Sequence, residues 1–463
     1  MSDGCCIMRV LPHPGVEMHA LKQARMARGW SQSRAIAELQ RHAQQQALRL
    51  PAFSSMKTEL SRWENGHRTP DAFYRGLLEL AYGMSSIDLG IAEAPSSSVI
   101  GLVSGASWEL AASTAEDLWM EDMDRRSLLK SSAFAVSAFA APTLQALVSP
   151  DVGSPTRTGA ARGVTAGDVA AISELTSGFA RLDNQYGGGQ ARDIAARCLA
   201  TDVAPLLRSG AFSGRLGTDL FRASAELCQL VGWMTYDIGA YGLGQRYLIQ
   251  ALGLARAASD QPLVGEILAA MSHQAAYQGE AQAAVDLARA AGQMARRYGV
   301  QALSAEAAVM EAHGHAIAGD GAQCAAALDR AERELDRADR AADPHWIGYF
   351  DDAYLSAKFG HCFLALADTT NAIRFAERSL DMDPHYARGR AFNLALLANS
   401  HALAGDVTAA CATGLQAAKA VTDLRSSRAT GYLRRLRADL EQAASSEDVQ
   451  RLDRVLQPLI SAA

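Results

Sequence analysis

The chain has 463 residues, 49% hydrophobic and 20% charged, with a formal net charge of −6, a balance that excludes a disordered or collagen-like chain. No run reaches the ~18 consecutive apolar residues of a membrane-spanning helix, and the length suits two or three domains. The seven cysteines, at positions 5, 6, 198, 228, 324, 362 and 411, form no CxxC pair and no ligand spacing with histidine, which points to a reduced, cytoplasmic protein without metal or other cofactor.

The first seventeen residues read as an extension, with Met18 a candidate start. Leu21 to Arg25 predicts a first helix, Gly29 its stop, and Ser31 the cap of a second helix that runs through Ala35, Ile36 and Leu39. In the stretch from Ser54 to Pro70, Met56, Leu60 and Trp63 stand at i, i+4 and i+7 and form one apolar stripe. Ser55, Lys57, Thr58, Ser61 and Arg62 face away from it, and Asn65 and Gly66 end the helix. A short helix with a polar, basic outer face fits the major groove, where an arginine takes a guanine edge and hydroxyl residues meet phosphate or thymine methyl. Between residues 18 and 70, nine Lys and Arg stand against three acids, so this module carries +6 and the remainder −12. Such a basic module supplies phosphate attraction within an acidic chain.

Leu21…Arg25, Gly29-Trp30-Ser31-Gln32 and Leu60-Ser61-Arg62-Trp63-Glu64-Asn65-Gly66…Pro70 together resemble the lambda repressor and Cro-like (XRE) family. The resemblance implies a helix-turn-helix bundle over 18–92 with Gln32 on a phosphate and the outer face of Ser55 to Arg62 on bases. The DNA-facing set is Arg25, Ser31, Gln32, Ser54, Ser55, Lys57, Thr58, Ser61, Arg62 and Asn65, with His67 and Arg68 as phosphate contacts. Gln32 and Trp63 stand about a dozen residues further apart than that family shows, so either the second helix is extended or the turn carries a loop.

From 93 to 165 the composition reads as a linker opening on Pro95-Ser96-Ser97-Ser98. It contains Asp124 to Lys130 with Arg125-Arg126, followed by the apolar Ser131 to Ala141, which resembles a twin-arginine export signal. The alternative is a basic turn and an apolar helix docked on the body or on a second copy.

From 166 to 463 the chain is Ala- and Leu-rich, and turns recur at Gly239, Gly279, Gly319, Ala367 and Gly405, in steps of 40, 40, 48 and 38 residues. That period predicts stacked helix pairs, and Phe359-Gly360, Phe363, Ala372, Ala376 and Pro384 make the units resemble tetratricopeptide repeats. Six residues before each turn stand Trp233, His273, His313, His361 and Asn399, and seven earlier stand Glu226, Glu266, Glu306, Tyr354 and Phe392. With Tyr236 and Tyr277 these residues are expected to line a concave groove for a peptide, small-molecule or protein effector. Histidines from successive repeats lie too far apart to share a zinc ion. Gly187 to Gly189 reads as a turn, Asp336 to Asp343 as a solvated helix face, and Val449 to Ile460 as a closing cap.

No hydrolase, P-loop, dinucleotide or HExxH motif is present, so the chain reads as a non-enzyme. The whole resembles a group of actinobacterial transcriptional regulators, on Leu182 to Gly189, Gly232-Trp233-Met234 and Phe359-Gly360-His361-Cys362. The fold expected is all-α, a helix-turn-helix bundle followed by a tetratricopeptide-like α-solenoid. The function implied is a cytoplasmic homodimer that binds double-stranded DNA and controls antibiotic biosynthesis or development. The alternatives are a repeat scaffold with little DNA role, or an exported repeat protein from an internal start.

Overall fold

The computed structural model describes residues 20–45, 53–65, 70, 74, 78, 81–82, 89, 91, 107–123, 133–148, 153–159 and 162–461. The fold is all-α: the only strands among the described residues are Arg162–Gly163 and Gly210–Ala211, paired in parallel. The chain divides into two compact units, Met1–Ser97 and Ser98–Ala463.

In the first unit, helices α1 (Ala20–Ala27), α2 (Gln32–Gln45) and α3 (Phe53–Glu64) follow the predicted order. Gly29, at φ 66°, turns the chain out of α1, and Ser31 Oγ accepts the Arg34 amide at 3.1 Å at the start of α2. Leu21, Ile36, Leu39, Met56, Leu60 and Trp63 are buried together, because each helix repeats an apolar residue every three to four positions. The extra residues between Gln32 and Trp63 extend α2 as far as Gln45; residues 46–52 lie outside the described set.

The second unit begins earlier than the expected linker allows. Helices α4 (Trp108–Met123) and α5 (Ala140–Val148) belong to its core through Ala111, Ala115, Leu118, Trp119 and Ala146, with Phe139 just ahead of α5. Asp122 fixes α4 from within: its Oδ2 pairs with the Arg192 guanidinium and accepts the Tyr247 hydroxyl at 2.6 Å. The apolar segment docks on the same unit, where the backbone of Ala135 exchanges two hydrogen bonds with the Gln245 amide (3.1 and 2.8 Å). The paired arginines before it lie outside the described residues.

After α6 (Ala166–Tyr186), α7 (Arg192–Cys198) and α8 (Ala204–Ser209) come five helix hairpins: α9 (Gly214–Asp237) with α10 (Tyr241–Ala257), α11 (Gln261–Tyr277) with α12 (Ala281–Tyr298), α13 (Gln301–Ile317) with α14 (Gly321–Asp336), α15 (Asp352–Ala365) with α16 (Thr369–Arg378), and α17 (Ala387–Leu403) with α18 (Val407–Val421). Helices α19 (Ser427–Asp439) and α20 (Glu447–Ser461) end the chain. All five turns read from the period are left-handed, with φ of 88°, 80°, 77°, 58° and 80° at Gly239, Gly279, Gly319, Ala367 and Gly405. An aspartate after three of them caps the next helix: Asp320, Asp368 and Asp406 accept amides at 3.0, 3.1 and 2.9 Å. Asp336 to Asp343 is not a helix face. α14 stops at Asp336 and the chain turns, with Arg340 donating to Asp343 at 2.7 Å.

The row of hairpins closes on itself. α6 packs against both α9 and α17, and Arg388 of α17 donates to Asp183 of α6 at 2.9 Å. Arg425, ahead of α19, pairs its backbone with Tyr186 O (2.8 Å) and Gly189 N (2.9 Å). Asp237 accepts from Gly188 N at 3.0 Å and from Ser426 Oγ at 2.9 Å. The triple glycine is therefore more than a turn. A Cβ at Gly188 would stand 2.6 Å from Met234 O, and one at Gly189 2.9 Å from Arg425 Cβ, so backbones meet there at a distance that excludes side chains.

Candidate functional sites

On α3 the apolar stripe is buried and Ser55, Lys57, Thr58 and Arg62 are exposed, with Ser61 half-buried. Arg62 rests on Glu59 at 2.9 Å, an i,i+3 pair in solvent, and Asn65 donates its side-chain amide to Ser61 O at 2.7 Å at the helix end. The Ser54 side chain, His67 and Arg68 lie outside the described residues.

Three residues expected at DNA are engaged within the unit. Arg25 grips Glu64 with two nitrogens, one at 3.0 Å, and donates to Trp30 O at 2.8 Å. Gln32 donates to the same Glu64 carboxylate at 2.9 Å, and Ser31 caps α2. Glu64 is 2% exposed, so its charge needs these partners, and its carboxylate in turn raises the Arg25 guanidinium above its ordinary pKa. Arg25 and Gln32 are thus a brace joining α1, α2 and α3. Sequence reasoning used Glu64 only as part of a motif, although a lone acid beside a core Trp carries the signal of a buried ion pair.

The second site is the inner face of the hairpins. The predicted row is brought together: Trp233 and His273 lie 5.1 Å apart, Tyr236 and Tyr277 5.5 Å, and His313 and His361 6.0 Å, by ring centroids. The open groove is not what forms, because closure brings α19 onto this face. Tyr432 lies 5.7 Å from both His361 and Phe392, and 6.3 Å from Tyr277. The Arg428 guanidinium sits over Tyr236 at 4.3 Å and Phe392 at 4.9 Å. Tyr236 and Asn399 are buried by this packing, and His273, Glu266 and Glu306 are buried as well, so these five do not face solvent; Trp233, Tyr277, His313, Tyr354, His361 and Phe392 keep partial exposure. Glu226 stands apart, paired with His345 at 3.0 Å, which holds that imidazole's pKa up.

The acidic row is largely silenced. Glu266 and Glu306 share the Tyr349 hydroxyl, at 3.0 and 2.7 Å. Burial and then the neighbouring carboxylate push Glu266 well up, and burial raises Glu306. Lys358, 5% exposed, has its ammonium 5.4 Å from the Tyr354 ring centre, and burial and then Arg428 push its pKa down to about 7. Sequence reasoning missed Lys358, Tyr349, Arg428 and Tyr432. Lys358 was within reach of it, since Tyr354, Lys358 and His361 repeat at i, i+4 and i+7 on the predicted inner face.

No protein-family model matches this chain, and no curated protein matches it in sequence.

Proposed function

We propose that this chain is a sequence-specific, double-stranded-DNA-binding transcriptional regulator. Its first unit serves as a helix-turn-helix of the lambda repressor type, and its second as a tetratricopeptide-like solenoid that senses an effector. The observation that carries the proposal is the brace of Arg25 and Gln32 on Glu64, which fixes α3 while Ser55, Lys57, Thr58 and Arg62 stay exposed. In this arrangement Lys57 and Arg62 make the groove contacts and Gln32 holds the helix that presents them. A homodimer places two such helices on half-sites about one helical turn apart. The docking of Phe139 and Ala135 on the body supports a structural role for the apolar segment, in a cytoplasmic protein that is not an enzyme. Control of secondary metabolism or development follows from the resemblance drawn above.

The test is selection of duplexes from a random library by the full chain. Enrichment of one motif, lost in Lys57→Ala/Arg62→Ala, is the expected result. Enrichment of no motif, or of the same motif by the double variant, overturns the proposal and favours a repeat scaffold.

A further inference from the structure

Helix α6 carries two apolar stripes with different fates. Ile172 and Phe179, with Asp183, are buried where the helix packs on α9 and α17. Beside them Ala171, Leu175, Gly178, Leu182 and Gln185 fall alternately four and three residues apart, the spacing of a seam between paired helices. The seam stays open, with Leu175 44% and Leu182 39% exposed. A groove of about 1210 Å³ runs along it, lined by α6 from Ala171 to Gln185 and by His345. At ~1.5 Å per residue that stretch is about 21 Å long, on the order of four helical turns.

The order of side chains along the seam sets what fits it. Large and small residues alternate, so an antiparallel copy of α6 centred between Leu175 and Gly178 sets Leu175 against the partner's Gly178 and Leu182 against the partner's Ala171. The same contacts recur in reverse across the two-fold axis, as an interface between identical surfaces requires. A parallel copy would stack leucine on leucine and glycine on glycine, leaving a void at every second layer.

Charge selects the same arrangement. Glu174 and Arg181 each precede a seam leucine, are exposed, and have no ion-pair partner among the described residues. They lie on one flank of the seam, so the antiparallel register brings Glu174 to the partner's Arg181, and Arg181 to the partner's Glu174.

We propose that α6 is a homodimer interface, its groove filled by the same helix of a second copy packed antiparallel across a two-fold axis. The interface supplies the homodimer of the proposed function and rests on that reading for its purpose.

The experiment is sedimentation equilibrium of the full chain, without DNA, across a micromolar concentration series. The wild type is expected to dimerise, and Leu175→Asp/Leu182→Asp to stay monomeric throughout, with circular dichroism verifying its fold. Arg181→Glu, at an exposed position, should weaken the dimer about tenfold, because two attractions become two repulsions. Glu174→Arg/Arg181→Glu should restore it, an outcome that a mere loss of folding would not give. A wild type that stays monomeric leaves the seam to a different partner and overturns the proposal. A dimer indifferent to the leucine substitutions, or a loss in Arg181→Glu that the swapped pair does not repair, overturns it equally. Duplex selection with the same preparations keeps the two readings apart: a dimer that enriches no motif defeats only the DNA-binding reading, and a monomer that enriches one defeats only this interface.

Discussion

The two units put the same device to opposite uses. Helix α3 and helix α15 each carry an apolar stripe on one side and a lysine on the other, yet Lys57 is exposed whereas Lys358 is 5% exposed. In the first unit the polar side of the helix is simply left in water. In the second, α19 returns to α9 and α17, the Arg425 backbone returns to Tyr186 and Gly189, and the polar side is turned inward. Helical periodicity thus decides which residues share a face, and long-range closure decides whether that face is outside or inside.

Four substitutions sharpen the contrast. The largest effect belongs to Glu64→Ala, which strands Arg25 and Gln32; a loss of about 3–5 kcal/mol is expected for a buried pair broken on one side. Hydrogen exchange across Phe53–Glu64 in the full chain reads it directly. Next, Lys358→Met should stabilise the second unit by a few kcal/mol near pH 6. The unfolded chain holds a proton on this lysine up to its ordinary pKa of 10.5, and the folded chain releases it at about 7, with Arg428 opposing and Glu306 favouring the charge. Wild-type stability therefore rises with pH across that window, and the variant's advantage shrinks as the pH approaches 10. A variant whose advantage is flat with pH would show that Lys358 is not desolvated in the fold.

A third substitution probes closure itself. Gly188→Ala puts a methyl against the Met234 backbone and should cost about 1–3 kcal/mol, seen in a lower denaturant midpoint. The smallest effect is Glu266→Gln, a gain of about 1 kcal/mol at pH 8, because an amide beside Glu306 replaces a second acid. Here the folded pKa is raised, so the wild type loses stability as pH climbs above the unfolded carboxylate range, and the gain grows in that direction. A loss of stability on this substitution would mean that the Glu266 carboxyl is held favourably by the Tyr349 hydroxyl rather than strained beside Glu306.

What was legible in the sequence follows the same division. The stripe of Met56, Leu60 and Trp63 and the five turns were readable because they depend on local periodicity and on left-handed residues; even Ala367, which lacks the glycine signal, adopts φ 58° in its predicted place. The inner-face partners Trp233 with His273 and His313 with His361 followed from counting along those turns. The core role of α4 escaped because its anchors, Arg192 and Tyr247, lie 70 and 125 residues from Asp122. Closure escaped for a related reason: its contacts at Arg425 are backbone to backbone, and Gly187 to Gly189 signal only that something approaches closely. Without closure, Arg428 reads as another surface arginine, like Arg434 and Arg435, which are exposed.

The most direct test of the regulator proposal is genome-wide occupancy of the tagged full-length chain in its native host, beside Lys57→Ala/Arg62→Ala. Discrete peaks sharing one motif, abolished in the double variant while its folding and abundance hold, are expected. Peaks indifferent to the substitutions, or none at all, would contradict a DNA-reading role for the outer face of α3.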